Sequence, residues 1–168
     1  MNDIKYAMAI PESLINEAVK RGIDLIDLIS RALNLDPTER SRAHLELAEK
    51  FLSEGVGLID REPVQASEKL YKAAEEAIKA LAVALNLDEA RTAELQGRWT
   101  ATLLFDAVDS VSEKLGNKDI RLWWRAAWFL HVEGFHEARL KPRQVREDVE
   151  YVENLVKLAR NIVKGNES

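Results

Sequence analysis

Apolar residues recur along most of this chain at spacings of three and four, the signature of amphipathic helices. The strongest stripe lies in residues 119–140, where Trp124, Trp128, His131 and Phe135 fall at i, i+4, i+7 and i+11. Trp123, Ala127 and Leu130 widen it, so this segment reads as the central helix of a bundle. Residues 36–39 are a helix start, with Asp36 as N-cap, Pro37 in the first turn and Glu39 placed for a capping box. Leu45, Ala48, Leu52, Gly55 and Ile59 continue that helix inward. Across the turn at Pro63, residues 64–85 alternate small Ala66, Ala73, Ala77 and Ala84 with Leu70 and Leu81, which favours close antiparallel approach to the preceding helix. Residues 87–97 are polar and weakly periodic and read as a loop with a helical turn. A helix over residues 98–115 follows, then a break at Gly116 and Asn117. Pro142 opens a last helix in which Val145, Val149, Val152, Val156, Ala159 and Val163 run at near-heptad spacing.

The N-terminal region has a different pattern. Residues 4–10 alternate as a short strand would, and Pro11 ends it. A short helix stops at Gly22, and a second covers residues 24–34. This strand, helix, glycine, helix order resembles the ribbon-helix-helix fold of small repressors, which implies DNA binding through outward strand residues. Here those residues are Lys5, Ala7 and Ala9, a poor set for hydrogen bonding to base edges. The expected division is an appendage over residues 1–35 and a helical bundle over residues 36–168. The helical hairpin also resembles a tetratricopeptide unit, but no second copy follows, so a solenoid is not expected.

Composition narrows the chemistry. The chain has 168 residues and no cysteine, which removes disulfides, thiolate metal sites and cysteine nucleophiles. A net charge of -5 argues against a non-specific nucleic-acid or anionic-membrane coat. The apolar runs fall short of a membrane span and no export signal opens the sequence, so a cytoplasmic protein is expected.

Three blocks in order, AEKFLSEGVGLIDREPVQASEKLYKAAEEAIKALAVALNL, GRWTATLLFDAV and WWRAAWFLHVEGFHEARL, resemble the archaeal PaREP family. That resemblance implies a HEPN-like domain: an all-α antiparallel bundle of about five long helices, preceded here by two short helices and one short strand. It also implies a homodimer. HEPN proteins include metal-independent RNases and non-catalytic companions of nucleotidyltransferases. The RNases use an arginine followed four to six residues later by a histidine, a spacing that Arg125 and His131 match. Histidine would transfer protons and arginine would hold the developing phosphorane charge. The competing reading makes His131 a core histidine within the tryptophan stripe.

Glu133 and His136 form one Glu-x-x-His pair, yet a di-iron bundle needs a second pair, and none surrounds His44. Taken on a straight α-helix, His131, Glu133 and His136 do not share a face, so no metal and no cofactor are expected. Arg121, Trp123, Trp124 and His136 are candidate binding residues, with the tryptophans as stacking platforms beside basic side chains. The expected function is therefore a non-catalytic binding or assembly module for a nucleotide, an RNA or a partner protein, with a metal-independent RNase as the alternative.

Overall fold

The computed structural model describes residues 10–166. Among them no strand occurs, and eight α-helices are joined by one π-helical segment. In order they are α1 (Glu12–Arg21), α2 (Leu25–Ala32), α3 (Pro37–Leu58), α4 (Pro63–Ala84), α5 (Asp88–Gln96), α6 (Ala101–Leu115), α7 (Asp119–Phe129), the π-helix (Leu130–His136) and α8 (Pro142–Gly165). The all-helical expectation therefore holds at the level of class. Its detail needs correcting in two places: residues 87–97 carry the helix α5, and the tryptophan-rich segment is two helices of different winding. The proposed strand over residues 4–10 falls almost wholly outside the described residues, as do the outward positions Lys5, Ala7 and Ala9.

The capping box forms as expected, since the Glu39 N–H donates to Asp36 Oδ1 over 2.9 Å and the Asp36 N–H to Glu39 Oε2 over 3.3 Å. From that start α3 runs antiparallel to α4, the most extensive helix pairing in the molecule. Gly55 permits the approach: a Cβ there would stand 2.9 Å from Leu70 Cγ. α4, and not the tryptophan-rich segment, is the centre of the bundle. Every residue from Ala73 to Val83 is buried, and α3, α5, α6, α7, the π-helix and α8 all pack on it. A helix enclosed on all sides must be apolar all round or must pair whatever charges it carries. The alanines meet the first condition, while Glu75, Glu76 and Lys79 fall under the second.

The segment 119–140 buries one face only. Ile120, Trp124, Ala127 and Leu130 are enclosed, whereas Leu122 and Phe129 stand in solvent. α8 buries Val145, Val152, Val156, Ala159 and Val163 of the stripe read from sequence, with Val149 partly buried against the core and Leu155 added to it. No helix among the described residues is long and apolar enough to cross a membrane.

Candidate functional site: a charged, aromatic-walled cavity

The α2 N-terminus begins a chain of ionic contacts through the bundle. Asp24 caps α2 by accepting from the Asp27 N–H, 3.1 Å away. Asp27, one turn into the helix, is 3 % exposed and uses both carboxylate oxygens: Oδ2 accepts from the Trp99 indole over 2.8 Å, and Oδ1 lies 3.0 Å from His44 Nε2. The opposite ring nitrogen of His44 lies 2.6 Å from Glu76 Oε2. Glu76 in turn receives Lys79 over 2.9 Å, and the Lys79 ammonium also meets Asp24 at 2.7 Å and Glu75 at 2.8 Å. Lys72 reaches Glu75 at 3.2 Å, and Arg40 joins Asp27 to Glu94.

A histidine held between two carboxylates is pressed toward the imidazolium form. Burial alone would lower the His44 pKa, but hydrogen bonds to Asp27 and Glu76, with the fields of Glu76 and Asp24, raise it to about 9. Burial likewise opposes the charge on Lys79, and Glu75, Glu76 and Asp24 overcome it, keeping the ammonium well above its ordinary range. Glu75 moves the other way: desolvation would raise it, yet Lys79 and Lys72 hold it at about 2. With His44 charged, the five acids Asp24, Asp27, Glu75, Glu76 and Glu94 face the four cations Arg40, His44, Lys72 and Lys79, so most of the buried charge is matched within the network.

Asp24, His44 and Glu76 bring ligand-type atoms within 4.8 Å of one another. They do not fit a metal, because both His44 nitrogens already face carboxylates and the Lys79 ammonium sits against Asp24 and Glu76. Any cation would have to displace Lys79.

Over this network lies a cavity of about 490 Å³ between the α1–α2 turn and α3, α4, α6 and α7. Its floor presents Asp24, Glu75, Glu76 and Lys79, and its walls include Phe51, Tyr71, Trp99, Trp128 and His131. Tyr71 anchors the aromatic wall, stacked on His131 at 4.1 Å between ring centroids and edge-on to Trp128 at 6.0 Å. Desolvation and the neighbouring Glu75 push the Tyr71 pKa up, so its hydroxyl stays protonated. Phe105 backs the wall from α6, edge-on to Trp124 and Trp128.

The π-helix sets the far edge of the cavity. It lies tight on α4 because Gly134 has no side chain: a Cβ there would meet Ser67 Oγ at 2.3 Å and Ser67 Cβ at 2.5 Å. Ala138, at φ 51, closes the segment in left-handed backbone that alanine seldom adopts. Within the π-helix, His131 Nδ1 is 2.8 Å from Glu68 Oε2 of α4, and His131 Nε2 is 3.1 Å from His136 Nε2.

Of the candidate catalytic and binding residues Arg121, Trp123, Trp124, Arg125, His131 and His136, His131 alone lines the cavity. His136 stands against it at the surface. Arg125 is exposed and lies outside the cavity. Arg121 is tied to Asp109, Ser112 and Glu113 of α6. Trp123 packs half-buried against the core, and Trp124 is 1 % exposed, its indole N–H buried without a partner. The sequence reading passed over Asp24, Asp27, His44, Glu75, Glu76 and Lys79. A signal was present, since His44 precedes Ala48 by four and Gly55 by eleven on the inward face of α3, and α4 carries charges on a helix whose other positions are apolar all round.

The family model for the archaeal PaREP1/PaREP8 family matches residues 43–156. The chain is also similar to two solved structures. A crystal structure of a protein from Sulfolobus solfataricus is 41% identical, with a TM-score of 0.57, over 73% of this chain and 94% of that one. A solution structure of the same structural-genomics target is 40% identical, with a TM-score of 0.56, over 74% and 91%. No curated protein matches.

Proposed function

We propose that this chain, which belongs to the archaeal PaREP1/PaREP8 family, is a non-catalytic binding module that takes a small planar heterocycle of nucleobase type into the cavity between the α1–α2 turn and the bundle. The observation that carries this reading is the pairing of a flat aromatic wall, Tyr71, Trp128 and His131, with a floor offering both carboxylates and an ammonium. Its volume, about 490 Å³, falls in the range of small-molecule sites, roughly 300–1,000 Å³. Because the floor sets three carboxylates against one ammonium, a free anion such as phosphate gains no net attraction there. A heterocycle edge with alternating donors and acceptors can use both kinds of group, while its face stacks on the aromatic rings.

The alternative, a metal-independent RNase, requires Arg125 to act beside His131. It draws less support, because Arg125 is exposed and does not line the cavity, and His131 Nε2 is paired with His136. For assembly we keep the homodimer, supported by Leu14, Val19, Leu28 and Leu33 of the N-terminal region, each at least half exposed. Sedimentation equilibrium reads that state directly, and a monomer at all concentrations contradicts it.

Calorimetric titration with the four ribonucleosides, inorganic phosphate and a short single-stranded RNA tests the binding reading. Saturable uptake of at least one nucleoside is expected, with loss of at least tenfold in affinity on Trp128→Leu. Uptake of none, or uptake indifferent to Trp128→Leu, contradicts it. Cleavage of the RNA that is lost on His131→Ala would establish the alternative instead.

A further inference from the structure

A straight α-helix sets residues five apart about 140° from one another around its axis, so His131 and His136 would face different directions. The π-helix changes this. Its wider turn, with i to i+5 hydrogen bonding, narrows that angle, and here the two imidazoles meet edge to face with their Nε2 atoms 3.1 Å apart. Such segments are rare and are commonly kept at functional sites. In this one the winding is secured from both sides, by Gly134 against Ser67 and by the left-handed Ala138.

Two ring nitrogens at that separation cannot both carry protons toward each other. The Glu68 carboxylate lies 2.8 Å from His131 Nδ1, and the tautomer that donates from Nδ1 to Glu68 presents an Nε2 lone pair on the His136 side. A carboxylate behind a histidine in this way is the usual support of a metal-ligating imidazole, fixing its tautomer and raising its basicity. The separation agrees as well. Two nitrogens bound to one tetrahedral cation at about 2.0–2.1 Å stand roughly 3.3 Å apart, close to the 3.1 Å found here. His136 is at the surface and His131 is 18% exposed at its side chain, so a cation can enter and keep its remaining positions for water or another ligand.

We infer that His131 Nε2 and His136 Nε2 form a two-histidine site for a late first-row divalent cation, of the Zn²⁺, Co²⁺ or Ni²⁺ class that prefers imidazole, with Glu68 positioning His131 from behind. This site is distinct from the Asp24, His44 and Glu76 cluster, whose nitrogens and oxygens are consumed by one another and by Lys79. It borders the cavity through His131, but metal uptake is read with no nucleoside present and so is tested apart from the proposed ligand.

Titration of the full chain with CoCl₂, read by visible absorption and calorimetry, and with ZnCl₂ in competition tests the site. One cation per chain is expected. His136→Ala, at an exposed position, should leave the helical circular dichroism intact and lower affinity at least tenfold, and Glu68→Gln should lower it by roughly 10- to 100-fold. His131→Ala should abolish uptake; if that variant unfolds, His136→Ala and Glu68→Gln carry the test. Failure of the wild-type chain to take up either cation, or uptake that is unchanged in His136→Ala, overturns the site and leaves the pair as a shared N–H···N hydrogen bond.

Discussion

Raising the pH from 6.5 to 9 should destabilise this protein, and His44 is the reason. The imidazole ring is wholly enclosed, with Asp27 on one nitrogen and Glu76 on the other. In the unfolded chain it titrates near 6.5, and in the folded one at about 9. Below pH 6.5 both states hold the proton and the whole stabilisation is present. Between the two values the folded state retains a proton that the unfolded state has released, so stability falls with rising pH, and above 9 the contribution is gone. A separation of about 2.5 units, at about 1.36 kcal/mol per unit, corresponds to a loss on the order of 3 kcal/mol. Asp148, raised by burial and by Glu147 to about 6, acts in a lower window and does not obscure the effect. Urea unfolding at half-unit intervals from pH 6 to 9.5, with linear extrapolation, reads the slope. The variant His44→Gln should be less stable below pH 9, since it leaves Asp27 and Glu76 without a cation between them, and should lack most of the slope. Stability that is flat or rising across this window in the wild type, or an imidazole resonance of His44 titrating at its ordinary value, would refute the reasoning.

Other consequences concern packing and charge. Lys79→Met removes the cation that Asp24, Glu75 and Glu76 share, and should cost roughly 3–5 kcal/mol in chemical unfolding. Gly134→Ala drives a methyl group into Ser67 and should cost about 1–3 kcal/mol, much of it recovered in the double variant with Ser67→Gly; equal loss in single and double variants would deny the contact. Trp124→Ala empties the largest enclosed side-chain volume and should cost about 3–5 kcal/mol by thermal or urea unfolding. Asp36→Ala removes the side-chain acceptor of the Glu39 N–H in the α3 capping box and should cost about 1 kcal/mol, with fraying of the first turn visible in amide exchange.

The α3–α4 hairpin, the capping box and the inward stripe of α8 were legible in the sequence because local spacing and local hydrogen bonding determine them. The centre of the bundle was not. Aromatic density drew attention to residues 119–140, yet large rings suit a partly exposed helix that covers one face, whereas the fully enclosed position belongs to the alanine-rich α4, where six neighbours must approach closely. α5 escaped notice because its buried residues are only Ala90 and Ala93, too small to mark a periodic stripe. The ionic network pairs side chains far apart in sequence, Asp24 with Lys79, Asp27 with Trp99 and His44 with Glu76, and periodicity carries no information about such partners. His131 and His136 were found as residues but not as a pair. Their meeting depends on a change of winding at Leu130, and the sequence marks it only through Gly134, whose reason is Ser67 on another helix.

Uptake of a planar ligand between the aromatic wall and the charged floor can be read from the four tryptophan indole N–H signals in a proton–nitrogen correlation spectrum during titration with nucleosides. Trp99 and Trp128 line the cavity, while Trp123 and Trp124 do not. Saturable shifts of the Trp99 and Trp128 signals are expected, with the other two nearly still. Shifts confined to Trp123 and Trp124, or no movement with any nucleoside, would contradict it.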